Sequence, residues 1–284
     1  MTKIGPYTLY TIETGRFGLD GGAMFGIIPQ PLWSRRIEPD ARNRIPLHMR
    51  CLLLEGDGRL ILIDNGLGDK YDAKFASIYA VDDQAPTLDE SLAQAGFGRD
   101  EITDVILTHL HFDHAGGTTR RTSDGLAMAF PNATIHVQRD HWAWASAPNP
   151  REQGSFLAEN LDPLAASGQL ALVEGAGALF PGVSVRTVHG HTEAQQIVMI
   201  SDDARTLVFV ADLLPTSAHL APVWGMGYDV RPLVTIEEKG LFLEEAITQG
   251  WTLFFEHDPH VVVAQVESGP KGPQIVAPRP LTDL

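Results

Sequence analysis

Directly after the apolar run Asp104 to Leu107 the chain reads Thr108-His109-Leu110-His111-Phe112-Asp113-His114-Ala115-Gly116-Gly117. In extended backbone successive side chains alternate faces, so His109, His111 and Asp113 point to one side, and a turn at Asp113 brings His114 beside them. Four metal-binding groups thereby converge within six residues. With 11 His and 21 Asp among 284 residues, the pattern H-x-H-x-D-H arises by chance in about one such chain in a thousand. The bland alternative is a solvated loop rich in histidine. Gly116 and Gly117 argue against it, because glycine is used where backbone must pass close to a packed site. The segment is read as ending a strand at a metal centre, and a centre that hydrolyses needs further ligands from elsewhere and a position for water.

Three such candidates follow apolar runs: His191 in Gly190-His191-Thr192, Asp212 after Leu207 to Ala211, and His257 after Phe254-Phe255-Glu256. Singly, each would be read as an ordinary surface or core residue; beside the first cluster they read as ligands. Around them, strands are predicted at Arg50 to Leu54 and Leu60 to Asp64, joined by the hairpin turn Glu55-Gly56-Asp57-Gly58-Arg59. A helix over Leu88 to Ala95 opens on the capping box Thr87 to Glu90 and stops at Gly96. Strands Asp104 to Leu107 and Thr134 to Val137 precede a helix through Trp142 and Trp144. The second half repeats the alternation, with strands at Ser184 to Val188, Gln196 to Ile200 and Thr206 to Val210. A helix from Ile236 to Gln249, with Thr235 and Glu238 as a second capping box, leads to strands Thr252 to Phe255 and Val261 to Gln265. Hairpins with intervening helices predict layered mixed sheets rather than a doubly wound parallel one. No linker divides the halves, so residues 1–284 read as one domain, with the Pro-rich segment 269–284 as a loose tail.

Charge and cysteine content narrow the partners. With 21 Lys and Arg against 36 Asp and Glu, the net charge is −15; such a surface repels phosphate backbones and anionic membranes, so neither nucleic acid nor membrane is expected as a partner. Met1 to Glu13 carries no secretory pattern, and no apolar run approaches the roughly 20 residues of a spanning helix, so the chain reads as cytoplasmic. The lone Cys51 excludes an internal disulfide and a zinc finger built from thiolates.

The succession His109 to His114, Gly190-His191-Thr192, Asp212 and His257 resembles the metallo-β-lactamase superfamily of hydrolases, and Ile63-Asp64-Asn65-Gly66 resembles its earliest motif. The likeness runs from about residue 45 to 265. It implies an α+β fold, an αββα sandwich of two mixed β-sheets flanked by helices, with a two-metal site at one edge. It implies that His109, His111 and His191 hold one divalent ion and Asp113, His114 and His257 the other, that Asp212 bridges both, and that Asp64 orients the cluster. Residues 1–45 would supply an N-terminal strand and a loop over the site. Imidazoles and carboxylates without thiolate suit zinc, and also manganese, cobalt or iron. In such a centre a water between the two ions is acidified and attacks an ester-type carbonyl or a phosphoryl centre, and Asp113 passes a proton to the leaving group.

Absences sort the branches of that superfamily. Its periplasmic β-lactamases carry a cysteine ligand where this chain has Asp212, its oxygen-reducing di-iron members an acidic residue where His111 stands, and its nucleases an extra domain or arm. Glyoxalase II has basic residues near its C-terminus, where this chain offers only Lys271 and Arg279 beyond His257. The segments Asp64 to Lys70, Ala211 to Leu220 and Phe254 to Asp258 are similar to the branch of the N-acyl homoserine lactonases and methyl parathion hydrolases. That likeness implies opening of a lactone. The alternatives are a phosphotriesterase or arylesterase, a glyoxalase II-like thioesterase and, from another class, a non-catalytic metal-bound ligand sensor. Two departures stand out. Lactonases place a tyrosine three residues after the bridging aspartate; here that position is Pro215, so either His219 or Tyr228 takes its role or the reaction differs. Thr192-Glu193-Ala194-Gln195 stands where many relatives have Thr-Pro-Gly-His. The implied partner is a small-molecule substrate, with Phe25, Trp33 and His219 as candidate contacts; packing of Phe25 and Trp33 in the core or in a homodimer contact is the equal alternative.

Overall fold

The computed structural model describes residues 2–284. Strands β1 (Thr2–Ile4), β2 (Tyr7–Asp20), β3 (Arg44–Gly56), β4 (Arg59–Ile63) and β5 (Asp104–Ile106) begin a seven-stranded sheet. After a separate hairpin of β6 (Thr119–Thr122) and β7 (Gly125–Met128), that sheet is completed by β8 (Thr134–Gln138) and β9 (Leu170–Val173). A second seven-stranded sheet takes β10 (Gly177–Phe180), β11 (Val183–Val188), β12 (Gln195–Ser201), β13 (Thr206–Phe209), β14 (Thr252–Phe254), β15 (Val263–Gly269) and β16 (Gly272–Arg279) in chain order.

Residue alternation builds the layers. Leu52, Leu54, Ile61 and Ile63 pack with Val185, Val198, Leu207 and Phe209 in the core between the sheets. Their neighbours Cys51, Leu53, Leu60 and Leu62 point the other way, into a core shared with Leu88 and Leu92 of helix Leu88–Ala95 and Leu164 of helix Ala158–Ser167. Beyond the second sheet, Met199, Val208 and Leu253 pack on Phe242, Leu243 and Ala246 of helix Pro232–Gln249. With roughly 1.5–3 kcal/mol per fully buried large apolar side chain, these three layers supply most of the favourable free energy of folding. The result is the expected αββα sandwich of two mixed sheets.

Strand direction places the site. β4 and β5 pair in parallel, as do β13 and β14, so each pair delivers both C-terminal ends to one edge. Phe209 is opposite Phe254, so Asp212 and His257 follow at equal distance from the ladder. The sheets are stitched together at this edge: the His48 and Arg50 amides donate to the carbonyls of His257 and Glu256 (3.2 Å each). From the other side, Gln196 donates its amide to Thr108 O (2.8 Å) and its side chain to Leu107 O (2.7 Å).

Two local expectations are corrected. The last long helix begins at Pro232, a residue whose fixed φ suits the first helical turn, so Thr235 lies inside it and forms no capping box with Glu238. Glu238 instead accepts the amides of His189 (2.8 and 3.0 Å) and Gly190 (3.0 Å). The segment 269–284 is not loose. It forms β16 on β15, and Leu281 is buried with its carbonyl bonded to the Thr2 hydroxyl (2.6 Å). Pro273 and Pro278 are accommodated because β16 is an edge strand, where absent N–H donors can face outward. Among the described residues no helix is long and apolar enough to cross a membrane.

Candidate metal centre

After β5 the chain bends at Thr108, reaches His111 in extended backbone and then turns into the short helix Phe112–Ala115, which carries Asp113 and His114 inward. Its packing explains the glycines. A Cβ at Gly116 would meet the Leu67 carbonyl and one at Gly117 the Asn65 carbonyl. The two loops are tied by Gly117 N to Gly66 O (3.0 Å) and Asn65 N to His114 O (2.9 Å), and Lys70 Nζ donates to Gly116 O and Thr119 O. Asp64 turns with a positive φ of 56° and is wholly buried. Its carboxylate accepts the Thr108 amide and hydroxyl (2.7 Å each).

The other candidates arrive from the second sheet. Asp212 sits on a short 3₁₀ turn after β13, His257 in the loop after β14, and His191 in the loop between β11 and β12. At Gly190 a Cβ would run into the backbone of Thr235, so this loop closes on the helix only with glycine there.

The seven side chains form two trios around one carboxylate. In the first, His111 Nδ1 lies 3.1 Å from His109 Nε2 and 3.2 Å from His191 Nε2; Asp212 Oδ2 is 3.2 Å from His191 Nε2 and 4.0 Å from His109 Nε2. In the second, His114 Nε2 and His257 Nε2 are 3.1 Å apart, with Asp113 Oδ2 at 3.9 and 3.8 Å. Asp212 turns its other oxygen to this trio, 3.3 Å from His257 and 3.7 Å from His114.

Rear contacts set which nitrogen of each ring carries hydrogen. Thr108 already donates its hydroxyl to Asp64, so it can only accept from His109 Nδ1 (3.1 Å). His191 Nδ1 donates to Asp229 Oδ1 (3.1 Å), His257 Nδ1 to His48 O (2.8 Å) and His114 Nδ1 to Asp64 Oδ2 (3.1 Å), with Glu256 Oε2 at 3.0 Å. In its neutral form each of these four rings therefore turns the Nε2 lone pair into the centre. Lone pairs about 3 Å apart in a dry space repel unless a cation lies between them, and buried Asp212 Oδ1 has no hydrogen-bond partner. The donor set fits divalent ions of borderline hardness.

The electrostatics agree. Burial and the neighbouring imidazoles push His109 far below its ordinary value, and burial lowers His111. Burial alone would raise Asp212, but His114, His191 and His257 hold its carboxyl well below the usual range. Burial would likewise depress His257, yet Asp212 outweighs it and lifts the ring to about 9. The carboxylates thus draw positive charge into the centre.

A cleft of about 340 Å³ opens on the centre, within the ~300–1,000 Å³ of small-molecule sites. His111, Asp113, His191, Asp212 and His257 line its floor; Leu19, Met24, Phe112 and Met226 form apolar walls, with Tyr79 and Tyr228 beside them. The N-terminal segment therefore reaches the site through Leu19 and Met24, and not through the aromatic residues expected there. Phe25 and Trp33 are buried and stack on one another (5.3 Å), and Phe25 stacks on His219 (4.6 Å, 3°). His219 is fully buried, bonded to Thr216 Oγ1 (2.7 Å) and Met24 O (2.8 Å), and burial lowers it to about 4. All three support the wall from behind, because flat rings of this size fill the gap beneath Met24 without reaching the cleft. Pro215 is not on the cleft surface; Tyr228 is.

Four residues of this region escaped the sequence reading: Glu152, Asp229, Glu256 and His141. His141 accepts the Leu110 amide (2.8 Å) and donates to Glu193 O (2.6 Å), and burial keeps it neutral, near 3. Asp229 also accepts the Met226 amide (3.1 Å). Glu256 directly precedes His257, a position that could have drawn attention to it.

The fold and this cluster define a metallo-hydrolase architecture. Residues 46–256 match the metallo-beta-lactamase superfamily, and the chain belongs to that superfamily. It is 28% identical to an N-acyl homoserine lactonase of Bacillus cereus over 211 residues, 71% of this chain and 73% of that protein. Its fold is similar to that of a probable metal-dependent hydrolase from Staphylococcus aureus (TM-score 0.89, 30% identity, 98% of both chains). It also matches AidC, a dizinc quorum-quenching lactonase (TM-score 0.82, 22% identity, 98% of this chain and 96% of that one).

Proposed function

We propose that this protein is a dinuclear metal-dependent hydrolase that opens lactones. The observation that carries the reading is Asp212, whose two oxygens divide between two trios of donors at the floor of an apolar-walled cleft. His109, His111 and His191 would hold one ion, Asp113, His114 and His257 the other, with Asp212 between them. Divalent ions so held acidify water and polarise a carbonyl. Leu19, Met24, Phe112 and Met226 receive the uncharged part of the substrate and exclude bulk water. Tyr228 keeps its proton, because burial raises it above its ordinary value, and serves as a donor to the carbonyl oxygen in place of the tyrosine missing at Pro215. When the ring C–O bond breaks, Asp113 delivers the proton taken from water to the departing alkoxide. Zinc is the ion this donor set favours, with manganese, cobalt and iron as competitors.

Tyr79, Phe112 and Tyr228 around the cleft favour an aryl ester or aryl phosphotriester as the second reading. Elemental analysis of the purified chain, followed by a panel of acyl lactones, aryl esters and aryl phosphotriesters, separates the two. Two ions per chain with highest kcat/KM on lactones is the expected result; lactones left intact by the doubly loaded protein would sink the leading reading.

A further inference from the structure

One histidine of the centre differs from the others. His109, His114, His191 and His257 each donate their rear nitrogen to an acceptor at 2.8–3.1 Å. His111 presents Nδ1 to the centre, and its buried Nε2 has no hydrogen-bond partner. The carboxylate facing that nitrogen is Glu152, with Oε1 at 3.5 Å. Glu152 is 3% exposed and is gripped by three donors: Thr192 Oγ1 on Oε1 (2.6 Å), and Trp144 Nε1 (2.7 Å) and Asn149 Nδ2 (2.6 Å) on Oε2. Asn149 also accepts the amides of Arg151 (2.9 Å) and Glu152 (3.2 Å), which fixes the backbone carrying the carboxylate. These donors hold the group in place but leave a lone pair on Oε1, and the hydrogen within reach of it is the one on His111 Nε2. Thr192 follows His191 in the chain, so the carboxylate that faces His111 is also bonded to the neighbour of a second member of the trio.

We propose that Glu152 is the positioning residue of His111: it holds the ring in the Nε2–H form, aims Nδ1 at the first ion position, and does nothing for the second. The proposal rests on the reading of the two trios as ion sites. Loss of such an outer carboxylate typically costs about 10–100-fold in metal affinity.

The test titrates zinc(II) against a chromophoric chelator in the full chain, wild type beside Glu152→Gln and Glu152→Ala, with cobalt(II) absorption as a second readout. The expected result is a weakening of about 10–100-fold at one ion, the other unchanged, with one of two cobalt environments altered. Trp144→Phe, which removes one donor to Glu152 and touches no ligand, should shift the same ion by less. Unchanged affinity at both ions overturns the proposal. So does equal weakening of both ions with a lower melting temperature of the metal-free variant, which marks a carboxylate that only braces its loop. If neither Glu152 variant folds, a shift at one ion in Trp144→Phe supports the proposal and its absence overturns it. A wild-type chain that takes up no ion overturns the centre itself, and the proposal with it.

Discussion

The two trios are built on different foundations. His114 and His257 are backed by Asp64 at the end of β4, Glu256 at the end of β14 and the His48 carbonyl in β3. Those partners are continuations of central strands, held by ladders on either side. His191 and His111 lean on Asp229 and Glu152, which lie in irregular segments before helices Pro232–Gln249 and Ala158–Ser167. Both segments also line the cleft, through Tyr228 and Ser155 among others. One half of the centre is therefore anchored to the sandwich, while the other is anchored to the same loops that shape the substrate space. On the proposed two-ion reading, substitutions in these loops are expected to alter substrate preference and the first ion's affinity together, while the second trio meets the cleft only through Asp113 and His257.

Asp212→Ala removes what the halves share and should break the comparison altogether, since both ions lose a donor. Several kcal/mol of electrostatic stabilisation corresponds to a loss of about a thousandfold or more in kcat/KM, with metal content falling in parallel; a variant that keeps both ions and activity would remove Asp212 from the centre. Tyr228→Phe should cost about a hundredfold in kcat, as for one lost oxyanion donor, while both ion affinities stay at wild-type values by chelator titration. Asp229→Asn and Glu256→Gln form a pair. Each should weaken one ion by about 10–100-fold, the first ion for Asp229 and the second for Glu256; the same ion weakened in both would erase the distinction between the halves.

The smallest effect is in stability against pH. In the metal-free chain His257, lifted from 6.5 to about 9 by Asp212 against the effect of burial, stabilises the fold below pH 6.5, and that contribution is lost as pH rises to about 9. His141 and His219, lowered by burial from 6.5 to about 3 and about 4, act oppositely: their contribution is full above 6.5 and is lost as pH falls. Melting temperature without metal should peak between these arms and drop by several degrees on the order of a few kcal/mol. Loading with zinc should flatten the alkaline arm alone, because an ion then replaces the proton at His257. Calorimetry across this range, with and without metal, reads both arms.

What could be read from the sequence follows a physical rule. His109, His111, His191, Asp212 and His257 each stand where an apolar run gives way, so the pattern that predicts a strand also predicts where its end delivers a side chain. Thr87 and Glu90 form their capping box as expected, because that contact is local. Thr235 and Glu238 carry the same letters, but Pro232 starts the helix a turn earlier and a loop distant in sequence claims Glu238. Glu152 and Asp229 lie in stretches without periodicity, and their role exists only through contacts across the fold. Phe25 and Trp33 look the same in sequence whether they line a cleft or support its wall; only neighbours such as His219 decide. The Pro-rich composition of the sixteen positions 269–284 is no guide either, since pairing with β15 depends on register.

That last strand has a consequence for solubility. β16 is the rim of the second sheet, and Pro273 and Pro278 interrupt the row of amide donors that another chain would need to extend it. Cutting the chain before Gly272 would leave β15 as the rim, with Val263, Ala264 and Val266 in a strand free of proline. The segment that looks most dispensable by composition therefore covers the apolar strand β15 with a rim whose prolines break the row of donors.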